Sequence, residues 1–162
     1  MAPPSVDGDN EGGAEHATVH SMDRSTLETR TAVTTGSDVV AMDFTEIETQ
    51  LNACSLSGAP CVITIGADIT WAKELTVAKG QNVTFWGRMA GGAVPALDAK
   101  ASYRAQRRHL TVADGATLSL DTLKFMNGYV YYPQKGGSIN NLGSIERIDK
   151  CMFSGNKAVS LY

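Results

Sequence analysis

From Cys61 onward, hydrophobic residues alternate with polar residues at a period of two, the spacing of a β-strand with one buried face. The alternating runs are short, and Gly, Asn or Asp residues separate them as turn signals. The predicted strands are residues 62–65, 68–70, 75–77, 83–85, 110–112, 118–120 and 123–125. No helical period interrupts the strands, so this part of the chain is predicted to be all-β.

A helical pattern precedes the strands. Asp43 and Glu46 have the spacing of a capping box, which begins a helix by pairing its free amide groups. The apolar positions that follow share one helical face, and they are Phe44, Ile47, Leu51 and Cys54. The pattern predicts an α-helix from residue 44 to about residue 53. Such a helix would cover the open end of a stack of strands.

The N-terminal segment before this helix holds no period. Acidic residues, Gly, Ser and Thr dominate it, a composition typical of disorder. The predicted organisation is therefore a disordered tail, residues 1–40, followed by one domain, residues 41–162.

The predicted strands belong to a repeat. Residues 110–128 align without gaps on residues 138–156, an offset that brings Phe125 onto Phe153. A shorter copy begins at Leu75, which is equivalent to Leu110. More residues separate these two leucines than separate Phe125 from Phe153. Units of this length stack on one another, because a single unit cannot bury its apolar face alone.

Short strands without intervening helices fit either an antiparallel sandwich or a parallel solenoid. Matching residues recur at the same phase of the repeat, which favours the solenoid, with neighbouring coils about 4.8 Å apart. The longer first spacing predicts a loop inserted within residues 88–108. In the last unit Ile145 and Ile148 lie three residues apart, which predicts a β-bulge with Glu146 turned outward.

Composition excludes several classes of function. The net charge of −3 gives no general reason to expect a nucleic-acid or anionic membrane partner. No apolar run reaches the roughly 20 residues of a membrane helix, and the N-terminus has no secretory signal pattern. His16, His20 and His109 have no partners at ligand spacing, so neither a metal nor a cofactor is predicted.

The three cysteines leave two interpretations open. Cys54 and Cys61 would close a short loop if the protein meets an oxidising compartment. We favour the alternative, in which Cys54 and Cys151 are small buried apolar residues. The sequence does not fix the compartment.

Two motifs carry a resemblance to a known family. Gly136-Gly-Ser-Ile139 and Phe153-Ser-Gly-Asn156 resemble the paired Gly-Gly-Ala-Ile and Phe-x-x-Asn elements of bacterial polymorphic outer membrane protein repeats and related adhesins. Phe125-Met-Asn-Gly128 departs from the second element by one position. Over residues 42–162 the chain thus resembles the right-handed parallel β-helices of the pectin-lyase-like class.

The resemblance implies a right-handed parallel β-helix of about three coils, capped at its N-terminal end by the predicted α-helix. It also implies an extracellular or cell-surface location. Members of the class either bind surfaces or cleave acidic polysaccharides.

The enzyme alternative has weak candidates only. Asp98 would act with Arg104, Arg107 and Arg108 of the inserted loop, since guanidinium groups suit carboxylated sugars. The hydrolase elements of the class, an Asn-Thr-Asp and an Asp-Asp pair, are absent, and we favour a solvated basic loop. Nucleic-acid binding by this cluster is not expected, because Tyr103 stands alone as a stacking residue.

A set of aromatic residues approaches a sugar-stacking platform. Tyr129, Tyr131 and Tyr132 lie in a predicted turn between two coils, and Trp86 is the fourth member of the set. These rings would either meet a glycan or cover the apolar side of the stack.

The leading prediction is a non-enzymatic recognition or adhesion module with a glycan or cell-surface partner. The alternative is a fragment of a polysaccharide lyase or glycoside hydrolase. Asn156 is followed only by residues 157–162, without a polar cap. We therefore expect either that the chain is a truncated member of a longer β-helix or that it associates end to end.

Overall fold

The computed structural model describes residues 39–160, which form one α-helix and many short β-strands, the first of which precedes the helix. The predicted disordered tail, residues 1–40, lies outside the described residues except for Val39 and Val40. The helix is α1 (Phe44–Ala53). The strands are β1 (Val40–Ala41), β2 (Pro60–Ile65), β3 (Ile69–Thr70), β4 (Leu75–Val77), β5 (Asn82–Gly87), β6 (Ala96–Asp98), β7 (Leu110–Val112), β8 (Thr117–Asp121), β9 (Lys124–Met126), β10 (Tyr129–Tyr131), β11 (Ile139–Asn141), β12 (Ser144–Asp149), β13 (Met152–Ser154) and β14 (Lys157–Val159).

All pairs between these strands are parallel. Three sheets have the orders β1-β2-β5-β8-β12, β3-β6-β9-β13 and β4-β7-β11, and β10 pairs with β14 in a fourth. The chain visits the three larger sheets in a fixed order: β2, β3 and β4, then β5, β6 and β7, then β8, β9 and β11. Each pass therefore adds one strand to each sheet, as the repeat predicts.

The register places like residues side by side along each sheet. In a parallel pair, residues opposite one another point to the same face, about 4.8 Å apart. The apolar rows are Leu75–Leu110–Ile139, Phe85–Leu120–Ile148 and Leu97–Phe125–Phe153. These rows line the core, which is fully buried in the middle passes.

Helix α1 has the predicted bounds and the predicted cap. The Asp43 carboxylate accepts the Glu46 amide at 2.9 Å, and the Glu46 carboxylate reaches back to the Met42 amide at 2.6 Å. The apolar face of the helix is buried against the first strands through Phe44, Ile47 and Leu51. Within residues 39–160, no helix is long and apolar enough to cross a membrane.

The end of α1 is tied to the sheets by a disulfide and an amide. Cys54 and Cys61 are joined, with their Cα atoms 5.7 Å apart, so the favoured interpretation of Cys54 as an unpaired apolar residue is wrong. Cys151 is a half-buried free thiol. The buried Gln81 side chain donates to the Leu51 and Cys54 carbonyls at 2.9 and 3.2 Å, and so pairs carbonyl groups at the helix end.

Two segments predicted as irregular are strands. Strand β6 divides the expected inserted loop into residues 88–95 and 99–109. Its single core residue, Leu97, shows no alternation by itself and becomes a strand residue because it stacks between Ile69 and Phe125. Strand β10 replaces the predicted turn, because its partner β14 comes from the next pass of the chain, outside any local pattern.

The last pass confirms the predicted bulge and corrects the gapless alignment. Ile145 pairs with Leu118 and Ile148 pairs with Leu120, so Glu146 is the extra residue and it is exposed. Just before this pass, in β11, Ile139 pairs with Leu110, one position beyond the aligned Ser138. A shorter turn before β12 and the bulge within it absorb the difference.

Reduction of the disulfide should destabilise the domain. The bond spans 7 residues in sequence, and a loop of this length gives a loss of about 2.5 kcal/mol in the chain-entropy account. Urea unfolding with and without reductant measures this loss. The Cys151→Ser variant is the control, because removing the free thiol should leave the effect of reductant unchanged. Equal stability of the oxidised and reduced protein would contradict the prediction.

Candidate functional site

The long segment 99–109 is fastened to strand β10. The backbone groups of Arg107 and Tyr129 exchange two hydrogen bonds, each 2.8 Å long, in an antiparallel bridge. The Gln106 side-chain carbonyl accepts the Tyr131 amide at 3.0 Å. These bonds bring the segment that carries the basic cluster alongside the tyrosines of the next pass.

A tight turn forms the tip of this segment. The backbone groups of Ser102 and Ala105 hydrogen bond to each other in both directions at 3.1 Å. Tyr103 and Arg104 are the two central residues of the turn, and both are exposed. The turn thus presents one aromatic ring and one guanidinium group to solvent.

Three tyrosine rings meet beside this tip, and we call Tyr103, Tyr129 and Tyr131 the tyrosine patch. The ring centroids of Tyr103 and Tyr131 lie 5.1 Å apart in an edge-on contact, and those of Tyr129 and Tyr131 lie 5.8 Å apart. Partial burial and a side-chain interaction with Tyr129 raise the pKa of Tyr131 above its ordinary value. The expectation that Tyr103 stands alone is therefore wrong.

The sequence did not indicate that Tyr103 belongs with the other tyrosines, because it lies far from Tyr129 along the chain. The bridge between Arg107 and Tyr129 and the bond from the Tyr131 amide to the Gln106 side chain bring them together. Tyr132, the third predicted ring, follows directly and is 70% exposed. It has no ring contact among the described aromatic residues.

Trp86 lies apart from the patch. It belongs to β5 in the five-stranded sheet, whereas Tyr129 and Tyr131 belong to β10 in the two-stranded sheet. The Arg88 guanidinium lies 5.4 Å from the Trp86 ring centroid, in a cation–π contact. The predicted aromatic set is therefore divided between two surfaces.

Two of the predicted arginines are bound within the fold. The Arg107 guanidinium donates to the carbonyls of Trp71 and Ala99 at 3.0 and 2.8 Å. Such bonds fix the path of the chain around the stack, because each guanidinium holds backbone groups from different segments.

Arg108 is 5% exposed and is held on three sides. Its Nε donates to the Glu74 carboxylate at 3.0 Å, and its terminal nitrogens donate to the Gln134 side chain and the Lys135 carbonyl. Of the three predicted arginines, only Arg104 extends from the exposed tip.

Asp98 lies at the end of β6 and accepts two hydrogen bonds. The Asn127 amide donates to it at 2.9 Å and the Lys100 backbone amide at 2.8 Å. Partial burial acts to raise the pKa of Asp98, but these bonds and nearby positive charge outweigh it and hold the pKa below 3.8. The carboxylate is therefore ionised at neutral pH. No ion pair joins it to an arginine among the residues described.

His109 is fully buried beneath the same segment. Its Nε2 lies 2.8 Å from the Leu97 carbonyl, so Nε2 carries the proton, and Nδ1 accepts from the Ser138 hydroxyl at 3.1 Å. Burial lowers the pKa of His109 from 6.5 to about 4. The described part of the chain contains no group of three or more residues that could hold a metal ion.

The site is thus a partly exposed surface of three packed phenol rings, and the exposed Arg104 lies at the tip of the segment that carries Tyr103. That segment is anchored by half-buried Arg107 and by buried Arg108 and His109. Comparisons of the chain with protein-family models, curated proteins and solved structures found no match. The chemistry of the patch is therefore inferred from its own geometry. Packed phenol rings offer flat apolar faces with hydroxyl groups at their edges, which suits an amphipathic ligand.

The neutral state of His109 should make the domain less stable in mild acid. The unfolded state takes up a proton at a pKa near 6.5, whereas the buried ring does so only near 4. Stability is therefore lost as pH falls between these values, by up to about 3 kcal/mol.

Urea midpoints measured from about pH 7 to about pH 5 test this loss above the main carboxylate titrations. The control is His109→Gln, whose amide also donates and accepts but does not titrate in this range. The control keeps His16 and His20, so the difference between the two proteins isolates His109. Parallel pH profiles for the two proteins would contradict the assignment.

Proposed function

We propose that the chain is a right-handed parallel β-helix that acts as a non-enzymatic recognition module for glycans, outside the cell or on its surface. The fold proposal is supported by the fixed order in which the chain visits three parallel sheets. Parallel crossovers within one sheet are right-handed in nearly all proteins, which supports the proposed hand.

The repeat motifs support the same fold through their contacts. The ring of Phe153 stacks on that of Phe125 with centroids 5.2 Å apart and planes 9° from parallel. The Asn156 side chain donates to the Phe125 carbonyl at 2.9 Å and accepts the Gly128 amide at 2.7 Å. Both ends of the Phe-x-x-Asn motif thus contact the preceding pass, as stacked coils of a β-helix require.

The observation that carries the functional proposal is the tyrosine patch. Tyrosine rings combine an apolar face with a polar edge, and they lose little conformational freedom on binding. Sugar rings have the matching properties, with C–H groups on their faces and hydroxyl groups around their edges. Because Tyr103 and Tyr131 already pack against each other, a ligand would meet a largely preformed surface.

The charge beside the patch indicates a subclass of glycan. Arg104 occupies the turn next to Tyr103, and the pairing of β10 with β14 places Lys157 beside Tyr129. A guanidinium group binds a planar carboxylate well. Sugars with carboxylate groups are therefore the preferred ligand class.

Binding without turnover is favoured by what the other charged residues do. Catalysis by Asp98, Arg107 or Arg108 would need a group free to exchange protons or contact a substrate. Asp98 accepts two hydrogen bonds, and both arginines are held by backbone or side-chain acceptors. The disulfide between Cys54 and Cys61 supports an oxidising location.

Calorimetric titration with oligogalacturonate, beside a neutral cello-oligosaccharide, tests the proposal. The chain is expected to bind the acidic oligosaccharide saturably, without cleaving it. Tyr103→Ala and Tyr131→Ala should each weaken binding roughly tenfold, since each removes a stacking face. Arg104→Ala should weaken the binding of the acidic oligosaccharide and leave that of the neutral one unchanged. For the unchanged chain, added salt should also reduce the affinity for the acidic oligosaccharide.

The matched control is Trp86→Ala, which removes an exposed aromatic ring on a different sheet. It should leave the affinity unchanged. Three results would refute the proposal: no binding of either oligosaccharide, binding that the tyrosine variants do not alter, or release of cleavage products. Equal affinity for single-stranded RNA would instead mean that the patch stacks bases.

A further inference from the structure

The last pass of the stack exposes residues that its predecessor buries. Leu120 and Phe125 are 0% exposed, whereas their register partners Ile148 and Phe153 are 50% and 42% exposed. These positions are equivalent in the repeat, and their side chains are apolar in both passes. The exposed layer is therefore a core layer that the described residues cover on one side only.

The same end presents backbone groups that have no partner strand within residues 39–160. Strands β11, β12 and β13 are each the last member of their sheet. The N-terminal side of the longest sheet ends instead in the two-residue β1, beside α1. An open strand edge is a template for pairing with another strand, and β12 is the longest of the three open edges.

The bulge makes β12 symmetric about its own centre. Ile145 and Ile148 occupy core positions, and between them lie Glu146 and Arg147, both exposed. A regular strand alternates faces, so two neighbouring residues could not both point outward. The bulge permits this. From Ile145 to Ile148 the side chains point inward, outward, outward and inward, and the order is the same in the reverse direction.

We propose that β12 pairs antiparallel with β12 of a second copy of this chain, around a two-fold axis between Glu146 and Arg147. In this register Glu146 faces Arg147 of the other copy twice, and Ile145 faces Ile148 twice. Like residues thus share a face across the interface, and opposite charges meet. The two open core layers cover each other, and the five-stranded sheet continues from one copy into the next.

A second copy fits this edge because the strand is complementary to itself. A two-fold interface uses the same patch on both subunits, so an antiparallel pair requires a strand whose two halves are complementary to each other. Here the apolar pair, the charged pair and the faces all match about one centre. Arg147 already bonds to Asp121 at 2.6 Å, which holds its guanidinium over the outer face of the sheet.

A charge exchange tests the register directly. In a dimer of the Glu146→Arg variant, an arginine would face an arginine at both charged pairs. In a dimer of the Arg147→Glu variant, a glutamate would face a glutamate at both pairs. Each variant should therefore dimerise about tenfold or more weakly than the unchanged chain. A mixture of the two restores both opposite-charge pairs, so it should form heterodimers with an affinity near that of the unchanged chain.

Sedimentation velocity of the full chain over a wide range of concentrations provides the measurement, with circular dichroism to verify folding. Lys79→Glu reverses an exposed charge in the turn between β4 and β5, far from β12 in sequence, and should dimerise normally. If Arg147→Glu alone folds poorly, addition of Asp121→Arg restores the ion pair within the sheet with its charges exchanged. The mixing experiment then uses that double variant.

A monomer at every concentration overturns the proposal, as does a dimer that neither charge reversal weakens. A dimer that both variants weaken but that mixing does not restore also overturns it. In that case the two copies meet in another register or through another surface. Recovery on mixing supports it, because only antiparallel pairing of β12 with itself exchanges these two charges.

Discussion

Stacking of like apolar side chains between successive parallel strands is the interaction on which the other features of this chain depend. Rows such as Leu97–Phe125–Phe153 keep the strands in register, and the register fixes where every turn begins and ends. A slip by one residue would turn each core side chain outward. The apolar burial that stabilises the stack therefore also positions the loops that leave it.

Polar side chains tie these loops to the stack. His109, Arg107 and Arg108 fasten the segment that carries Tyr103, and Gln81 fastens the end of α1. Among the described residues, no buried side-chain nitrogen or oxygen lacks a hydrogen-bond partner. Satisfied groups of this kind make a long loop rigid, which is why an exposed patch can be largely preformed.

Much of the architecture was predictable, because stacked strands need similar residues at equivalent positions, which produces a repeat in the sequence. The cap at Asp43, the bounds of α1 and the bulge at Glu146 all follow from local spacing, and the structure confirms them. Strands β6 and β10 were missed because each needs a partner from another pass of the chain and has little alternation by itself. Sequence reasoning found Tyr129 and Tyr131 but not their neighbour Tyr103, since a backbone bridge, rather than any pattern, brings it to them.

The basic cluster illustrates a related limit. Adjacent arginines in the sequence suggested one charged surface, yet Arg108 is buried while Arg104 is exposed. Which arginine turns inward depends on acceptors such as Glu74 and the Lys135 carbonyl, which come from other passes of the chain. The residue types predicted a positively charged surface, but the packing of the chain determines which of the arginines are exposed on it.

The most direct test of the account is an NMR measurement of contacts between strands β4 and β7, which are equivalent strands of two successive passes. Parallel in-register stacking predicts contacts between the side chains of Leu75 and Leu110, and between those of Val77 and Val112. Close Cα–H contacts that pair Leu75 with Val112 would mean antiparallel strands. That result would contradict the stacked parallel fold, and with it the register on which both proposed surfaces rest.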